Sequence, residues 1–192
     1  MSSPTEEDDA RADEAGLRSR RDLFQLRRPL PVEDAVRAGL PSIDTRAFRP
    51  GVDDDAWLEV NNRSFASHPD QSNQTQADLD AEAREPWFDP AGFLLLDADP
   101  AGPRAGRLDG FCWTKIHAEV DPPMGEIYVI GVDPDAFGRR LGGALTVAGL
   151  DHLTAQGLTV GMLYVDESNE PARKLYARLG FELHHRDRVY SR

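Results

Sequence analysis

The 192-residue chain has one cysteine, Cys112, so it closes no intrachain disulfide and cannot build a cysteine-rich metal site. It lacks any apolar run approaching the ~20 residues that cross a bilayer as a helix. Positive charge is scarce. The 22 Lys and Arg face 34 Asp and Glu, leaving a formal net charge of −12, which argues against a nucleic-acid partner held by bulk electrostatics. The opening MSSPTEEDDARADEAG holds neither an aromatic residue nor the apolar core of a secretion signal. What remains is the expectation of a soluble, cytoplasmic protein with one domain of moderate size.

Residues 1–21 read as a disordered acidic tail, because they offer almost nothing to bury. Residues 22–30, DLFQLRRPL, alternate weakly and read as a short strand, followed by a Pro-rich connector to residue 42. From Ile43 the pattern becomes regular. Strands are expected at 43–48, 93–99, 107–117, 126–132, 161–165 and 181–190. Helices are expected at 53–65, with three Asp at its start, at 75–85, with Thr75 as N-cap, at 138–157 and at 170–179. The order β-α-α-β-β-β-α-β-α-β implies an α/β (mixed α+β) domain: one central mixed, twisted sheet with helices on both faces.

The densest signal is GEIYVIGVDPDAFGRRLGGAL at 125–145. A strand runs through an Asp-Pro turn into a Gly-rich turn that opens a helix. Free amides and the helix dipole at such a start favour an anion, and a phosphate-bearing cofactor is the natural occupant. A second segment, LYVDESNEPARKLYARLGFEL, joins an Asn to a helix and a Tyr-x-x-x-Gly-Phe ending at Tyr176, Gly180 and Phe181.

Element order and both motifs resemble the GNAT superfamily of acyl-CoA-dependent N-acyltransferases. Within it, DLFQLRRPLP, NNRSFASHPDQ, WFDPAGFLL, GFCWTKIH, GEIYVIGVDP, LYVDESN and LYARLGF resemble the linker and C-terminal catalytic half of the two-domain mycothiol synthases. The resemblance implies three parts: a tail at 1–21, a linker at 22–42 resembling the end of an absent N-terminal GNAT half, and an acetyltransferase domain at 43–192. It implies acetyl-CoA as acetyl donor, no metal, and cysteinyl-glucosaminyl-inositol as the small-molecule acceptor. Neither nucleic acid nor membrane is implied as a partner. Lacking a preceding half, the chain would form a homodimer or pair with a separate N-terminal half.

The same resemblance assigns residues. Glu126 would be the general base and lie at the substrate amine; the plain alternative is a solvent-facing strand carboxylate. Tyr176 would protonate the leaving thiolate, or simply pack on the apolar helix face with Ala172 and Leu179; a phenol can do both. Ile130, Gly131 and Val132 would offer backbone groups to the pantetheine arm. Phe137, Gly138, Arg139, Arg140, Leu141, Gly142 and Gly143 form the pyrophosphate turn. Asn169, Glu170, Pro171, Ala172, Arg173 and Lys174 form the second cofactor segment, with Asn169 also a natural helix N-cap. Asp70, Lys115, Glu126 and Tyr164 would contact the acceptor, and His68 lies in the same loop as Asp70. Two positions depart from the usual [Gln/Arg]-x-x-Gly-x-[Gly/Ala] turn: Phe137 stands first and Arg140 replaces the glycine that lets backbone approach the pyrophosphate. Cys112 reads as a packing or surface residue and the histidines show no metal-ligand spacing. Two further readings stay open: a GNAT acting on another amine, such as a peptide N-terminus, and a non-catalytic acyl-CoA- or partner-binding half.

Overall fold

The computed structural model describes residues 5–17, 19–66 and 72–191. Its elements are α1 (Glu6–Glu14), β1 (Ser19–Pro29), α2 (Asp34–Arg37), β2 (Arg46–Ala47), α3 (Asp54–Ser64), α4 (Gln76–Glu82), β3 (Phe93–Asp97), β4 (Leu108–His117), β5 (Met124–Val132), α5 (Leu141–Ala155), β6 (Val160–Asp166), α6 (Glu170–Arg178) and β7 (Glu182–Ser191). The strands form one seven-stranded sheet in the order β2-β3-β4-β5-β6-β1-β7. Every neighbouring pair is antiparallel except β5 and β6. This is the mixed sheet that the element order implies.

The sheet separates two apolar clusters. On one face, α5 and α6 bury Leu141, Leu145, Leu150, Leu153, Tyr176 and Leu179 against Phe24, Leu26, Cys112, Ile127 and Leu163. Gly149 of α5 permits the close approach: a Cβ there would fall 2.5 Å from Cys112 Sγ. On the other face, α3 and α4 cover an aromatic cluster of Phe48, Trp57, Phe93, Phe111 and Trp113. Phe93 and Trp113 stack with centroids 4.2 Å apart, and Trp57 meets both edge-on, the offset and T-shaped arrangements that ring quadrupoles favour.

Four expectations need correction. Residues 6–14 are helical rather than disordered. Thr5 and Asp8 form a capping box, and Asp9 accepts hydrogen bonds from Arg188 at 2.8 Å and Tyr190 at 2.6 Å on β7. Charges that look disordering in sequence therefore find fixed partners. The short strand expected at 22–30 is present as β1 (Ser19–Pro29), but it belongs to this sheet and is not part of a linker at 22–42: β1 lies between β6 and β7, with Leu26 opposite both Leu163 and Leu183. Its alternate residues Phe24 and Leu26 are buried in the first cluster. The strand expected at 43–48 shortens to Arg46–Ala47 at the sheet edge. There Arg46 and Arg49 both turn to the buried Asp53 carboxylate, whose pKa is held well below the usual range, chiefly by Arg49. Finally, α5 starts at Leu141 and not at 138, because Gly138 (φ +83°) and Arg140 (φ +60°) are left-handed and cannot continue a right-handed helix.

Candidate active site

The site begins with a parting of strands. β5 and β6 pair only at Gly125↔Gly161, Glu126↔Met162 and Ile127↔Leu163. Beyond that they diverge, although β5 stays paired with β4 as far as Val132↔Gly110. A bulge accompanies the divergence. Trp113 faces Val129 and Thr114 faces Ile127, so Tyr128 is an extra residue on β5. Such a bulge bends its strand and increases the local twist, which turns β5 away from β6. Between the strands opens a cleft of about 370 Å³, lined by Ile127 to Ile130 of β5, Leu163 to Asp166 of β6, and Asn169, Ala172 and Tyr176 at the α6 end.

Within this cleft the structure brings together Ile130, Tyr164, Asn169, Ala172 and Tyr176. Tyr176 is 8% exposed, and burial raises its phenol pKa. Its ring meets Phe181 edge-on at 5.8 Å, so the packing role weighed from sequence holds. Tyr164 is 42% exposed despite lying on an inner strand, because β5 no longer covers it. Its hydroxyl accepts a 2.6 Å hydrogen bond from Gln25 of β1. Asn169 caps α6, its Oδ1 accepting from the Ala172 amide at 3.2 Å, which leaves the amide NH2 able to donate.

The glycine-rich turn lies where β5 enters α5. Asp133, 2% exposed, anchors it. Burial opposes ionisation of Asp133, but hydrogen bonds from Arg63, the Asp135 amide and Arg104 outweigh it and hold the pKa at about 2. Arg139 is bonded to the buried Asp109. Arg140 donates to the Gly39 carbonyl at 2.9 Å. Phe137 is 65% exposed, while Leu141 is buried as the first residue of α5. Gly142 and Gly143 face Leu175 of α6, which stands 3.5 and 3.4 Å from the positions of an added Cβ. Val132 packs against the α5-side cluster, and Gly131 leaves room for Phe111. In the second segment, Lys174 pairs with Glu170 at 2.7 Å, and Arg173 bonds the Glu167 carbonyl at 2.8 Å and covers the Phe24 ring. Pro171 sits in the first turn of α6.

Glu126 and Lys115 lie on the α3/α4 side of the sheet, directly opposite each other in the β4–β5 register. Glu126 is 7% exposed and so is not the solvent-facing strand carboxylate of the plain reading. Its Oε2 lies 2.7 Å from His117 Nε2. Lys115 Nζ stands 4.3 Å over the Trp87 ring and 5.3 Å over Tyr128, within range of a cation–π attraction of about 0.5–2 kcal/mol. Tyr128 joins the two regions: it lines the cleft and donates its hydroxyl to Glu82 at 3.4 Å. Burial raises both pKa values, with Tyr128 reaching about 12. Asp70 and His68 lie outside the described residues. Cys112 is fully buried and burial pushes its thiol up to about 12, as befits a packing residue.

Reading the sequence alone missed His117, Tyr128, Glu82, Trp87 and Gln25. Period-two spacing puts His117 on the face of Lys115, but only the strand register brings it to Glu126.

The GNAT acetyltransferase family model matches residues 55–181. A Streptomyces avermitilis protein named mycothiol acetyltransferase is 52% identical over 176 residues, covering 91% of this chain and 54% of that protein. A Salinispora arenicola protein of the same name is 54% identical over 174 residues, covering 90% of this chain and 55% of that protein. The chain thus spans about half the length of the curated relatives it matches. Among solved structures, a GCN5-related N-acetyltransferase from Sphaerobacter thermophilus superposes with a TM-score of 0.69 at 25% identity, over 99% of this chain and 58% of that one.

Proposed function

The chain belongs to the GNAT acetyltransferase family, and from that premise we propose that it is an acetyl-CoA-dependent N-acetyltransferase that acetylates the cysteinyl amine of cysteinyl-glucosaminyl-inositol to give mycothiol. The name mycothiol acetyltransferase, carried by relatives half identical to this chain, supports that acceptor. The observation that carries the reaction type is the parting of β5 from β6 after Ile127. It leaves an apolar-walled cleft beside a strand edge with no sheet partner, which suits an extended, amide-bearing pantetheine arm. The cleft leads toward Tyr176 at one end and, through Tyr128, toward Lys115 and Glu126.

Ile130, Gly131 and Val132 hold the arm by backbone hydrogen bonds. The turn from Phe137 to Gly143 receives the pyrophosphate on the α5 amides, and the segment from Asn169 to Lys174 flanks the same ligand. Acetyl-CoA supplies the activated acetyl thioester. An α-amine has a pKa near ~7.7–8.0, so a base adds to the rate at neutral pH. Glu126 takes the proton from the amine, directly or through one water. Tyr176 lines the cleft with Asn169 and Ala172 and donates its proton toward the departing thiolate. Lys115 and Tyr164, with Asp70, contact the polyhydroxylated acceptor. No acyl-enzyme is required, and the one cysteine is sealed in the core.

The non-catalytic reading rested on Phe137, Arg140 and the absent N-terminal half, and the structure bears on Arg140. Its φ of +60° keeps the left-handed turn a glycine would make, and its side chain is directed to Gly39, so the substitution leaves the turn's shape in place. The test is an acceptor comparison by mass spectrometry. Cysteinyl-glucosaminyl-inositol should gain one acetyl group far faster than a peptide N-terminus or a simple amine. Equal or preferential acetylation of the others would reassign the acceptor.

A further inference from the structure

Tyr164 opens on the cleft with its hydroxyl already engaged from behind, and the residues that engage it decide where its proton goes. Gln25 Nε2 of β1 donates to the Tyr164 oxygen at 2.6 Å, and Arg27 Nε donates to Gln25 Oε1 at 2.8 Å. A guanidinium has donors and no acceptor, so the atom that meets Arg27 must be the amide oxygen. The amide nitrogen therefore faces Tyr164, and the carboxamide can be held in only one of its two flips. An amide N–H only donates, so the Tyr164 oxygen accepts. The phenol proton cannot take the direction that this N–H fills, and it is left for a ligand. Gln25 is 8% exposed and Tyr164 is 42% exposed, so the line starts in the enclosed sheet and ends in the cleft. Gln25 and Tyr164 are register partners on β1 and β6, and the cleft lies on the other side of β6, toward β5.

We propose that Gln25 is a positioning residue that makes Tyr164 a hydrogen-bond donor to the acceptor; the proposal rests on the acceptor reading above. A phenol held this way recognises an oxygen with a free lone pair, such as a hydroxyl or glycosidic oxygen of an amino sugar. A cationic or donor-only group at the same point would meet the phenol proton head-on. An acceptor without that oxygen leaves the proton unpaired, which is how a polar site rejects an apolar analogue. From Arg27 through Gln25 to Tyr164 the donors all run in one direction, so each bond polarises the next. β1 thus fills the sheet between β6 and β7 and also supplies the inner end of this line.

Gln25→Glu tests this. It keeps the size of the side chain and its contact with Arg27, but replaces the N–H with an accepting oxygen. The Tyr164 proton then turns to the new carboxylate and is lost to the ligand. The expected result is an acceptor KM higher by about tenfold, with kcat and the KM for acetyl-CoA within about threefold of wild type. In a Tyr164→Phe background the same substitution should add less than about twofold, because no phenol proton remains to turn. Arg27→Met unpins the amide and should raise the acceptor KM by about two- to fivefold; it serves as the test where Gln25→Glu does not fold. Calorimetry of acceptor binding with CoA in place of acetyl-CoA reads the same losses without turnover. Wild-type acceptor affinity in folded Gln25→Glu, or in Arg27→Met, overturns the inference. A loss in Gln25→Glu that persists undiminished in Tyr164→Phe overturns the coupling and leaves Gln25 a structural residue. A wild type that neither binds nor acetylates cysteinyl-glucosaminyl-inositol overturns the acceptor reading, and this inference with it.

Discussion

Lys115 of β4 and Glu126 of β5 stand directly opposite each other across an antiparallel ladder, at the point where β5 is about to bulge at Tyr128 and leave β6. A cation resting on Trp87 and Tyr128 and a buried carboxylate thus share one sheet face beside the cleft mouth. Lys115→Met keeps the aliphatic stem on the Trp87 ring and removes the charge. It is expected to raise the acceptor KM about tenfold, roughly 1.4 kcal/mol, with a smaller change in kcat. Steady-state kinetics at saturating acetyl-CoA checks this, and an unchanged KM removes Lys115 from the acceptor site.

Tyr176→Phe deletes one hydroxyl, which has no hydrogen-bond partner among the described residues, and retains the ring that packs on Phe181. Stability should stay within about 1 kcal/mol of wild type, while kcat falls by about a hundredfold or more if the phenol is the general acid. Thermal unfolding and single-turnover kinetics on the same preparation separate the two effects. A large loss of Tm with intact kcat would make Tyr176 a packing residue alone.

Arg140 is one of two non-glycine residues with positive φ among those described. A left-handed conformation costs a residue with a Cβ about 1–2 kcal/mol. Arg140→Gly and Arg140→Ala both lose the contact with Gly39, but only the glycine relieves the backbone. The glycine variant should therefore be more stable than the alanine variant by about 1 kcal/mol and bind acetyl-CoA at least as tightly as wild type. Chemical denaturation and calorimetry check the pair; an alanine variant as stable as the glycine variant contradicts the strain.

Asp133 carries the acid sensitivity of the glycine-rich turn between β5 and α5. Its folded-state pKa of about 2 lies below the ordinary 3.8. A depressed carboxylate contributes stability that is present above the unfolded pKa and lost as pH falls through the folded one. The window is therefore about pH 4 to 2, and the contribution is about 2 kcal/mol. Asp133→Asn should flatten the loss of stability across that window and lower stability at neutral pH, since Arg63 and Arg104 lose a charged partner. Urea denaturation at stepped pH measures both.

Much of the architecture was legible because it is written in local patterns. The N-cap at Thr75, the apolar spacing of Leu141, Leu145 and Leu153, and the strand-like run from 107 to 117 each encode their own element. The short strand at 22–30 was legible too, but its place inside this sheet was not, because that depends on non-local partners: Leu26 is flanked by Leu163 and Leu183. The same applies to the site. The glycine-rich turn and the Asn-to-Tyr segment announce themselves by spacing, whereas the His117–Glu126 contact and the Tyr128 bulge depend on a register that no spacing in one strand fixes. Acidic α1 was misread for the related reason that its partners, Arg188 and Tyr190, come from the other end of the chain.

Glu126 is the proposed base for acetyl transfer to the cysteinyl amine. The most direct measurement is CoA release at neutral pH from acetyl-CoA and cysteinyl-glucosaminyl-inositol, comparing wild type, Glu126→Gln and a reaction without acceptor. Acceptor-dependent release by the wild type is expected, with a loss of about a hundredfold or more in the variant. Full activity in Glu126→Gln, or release that ignores the acceptor, would contradict it.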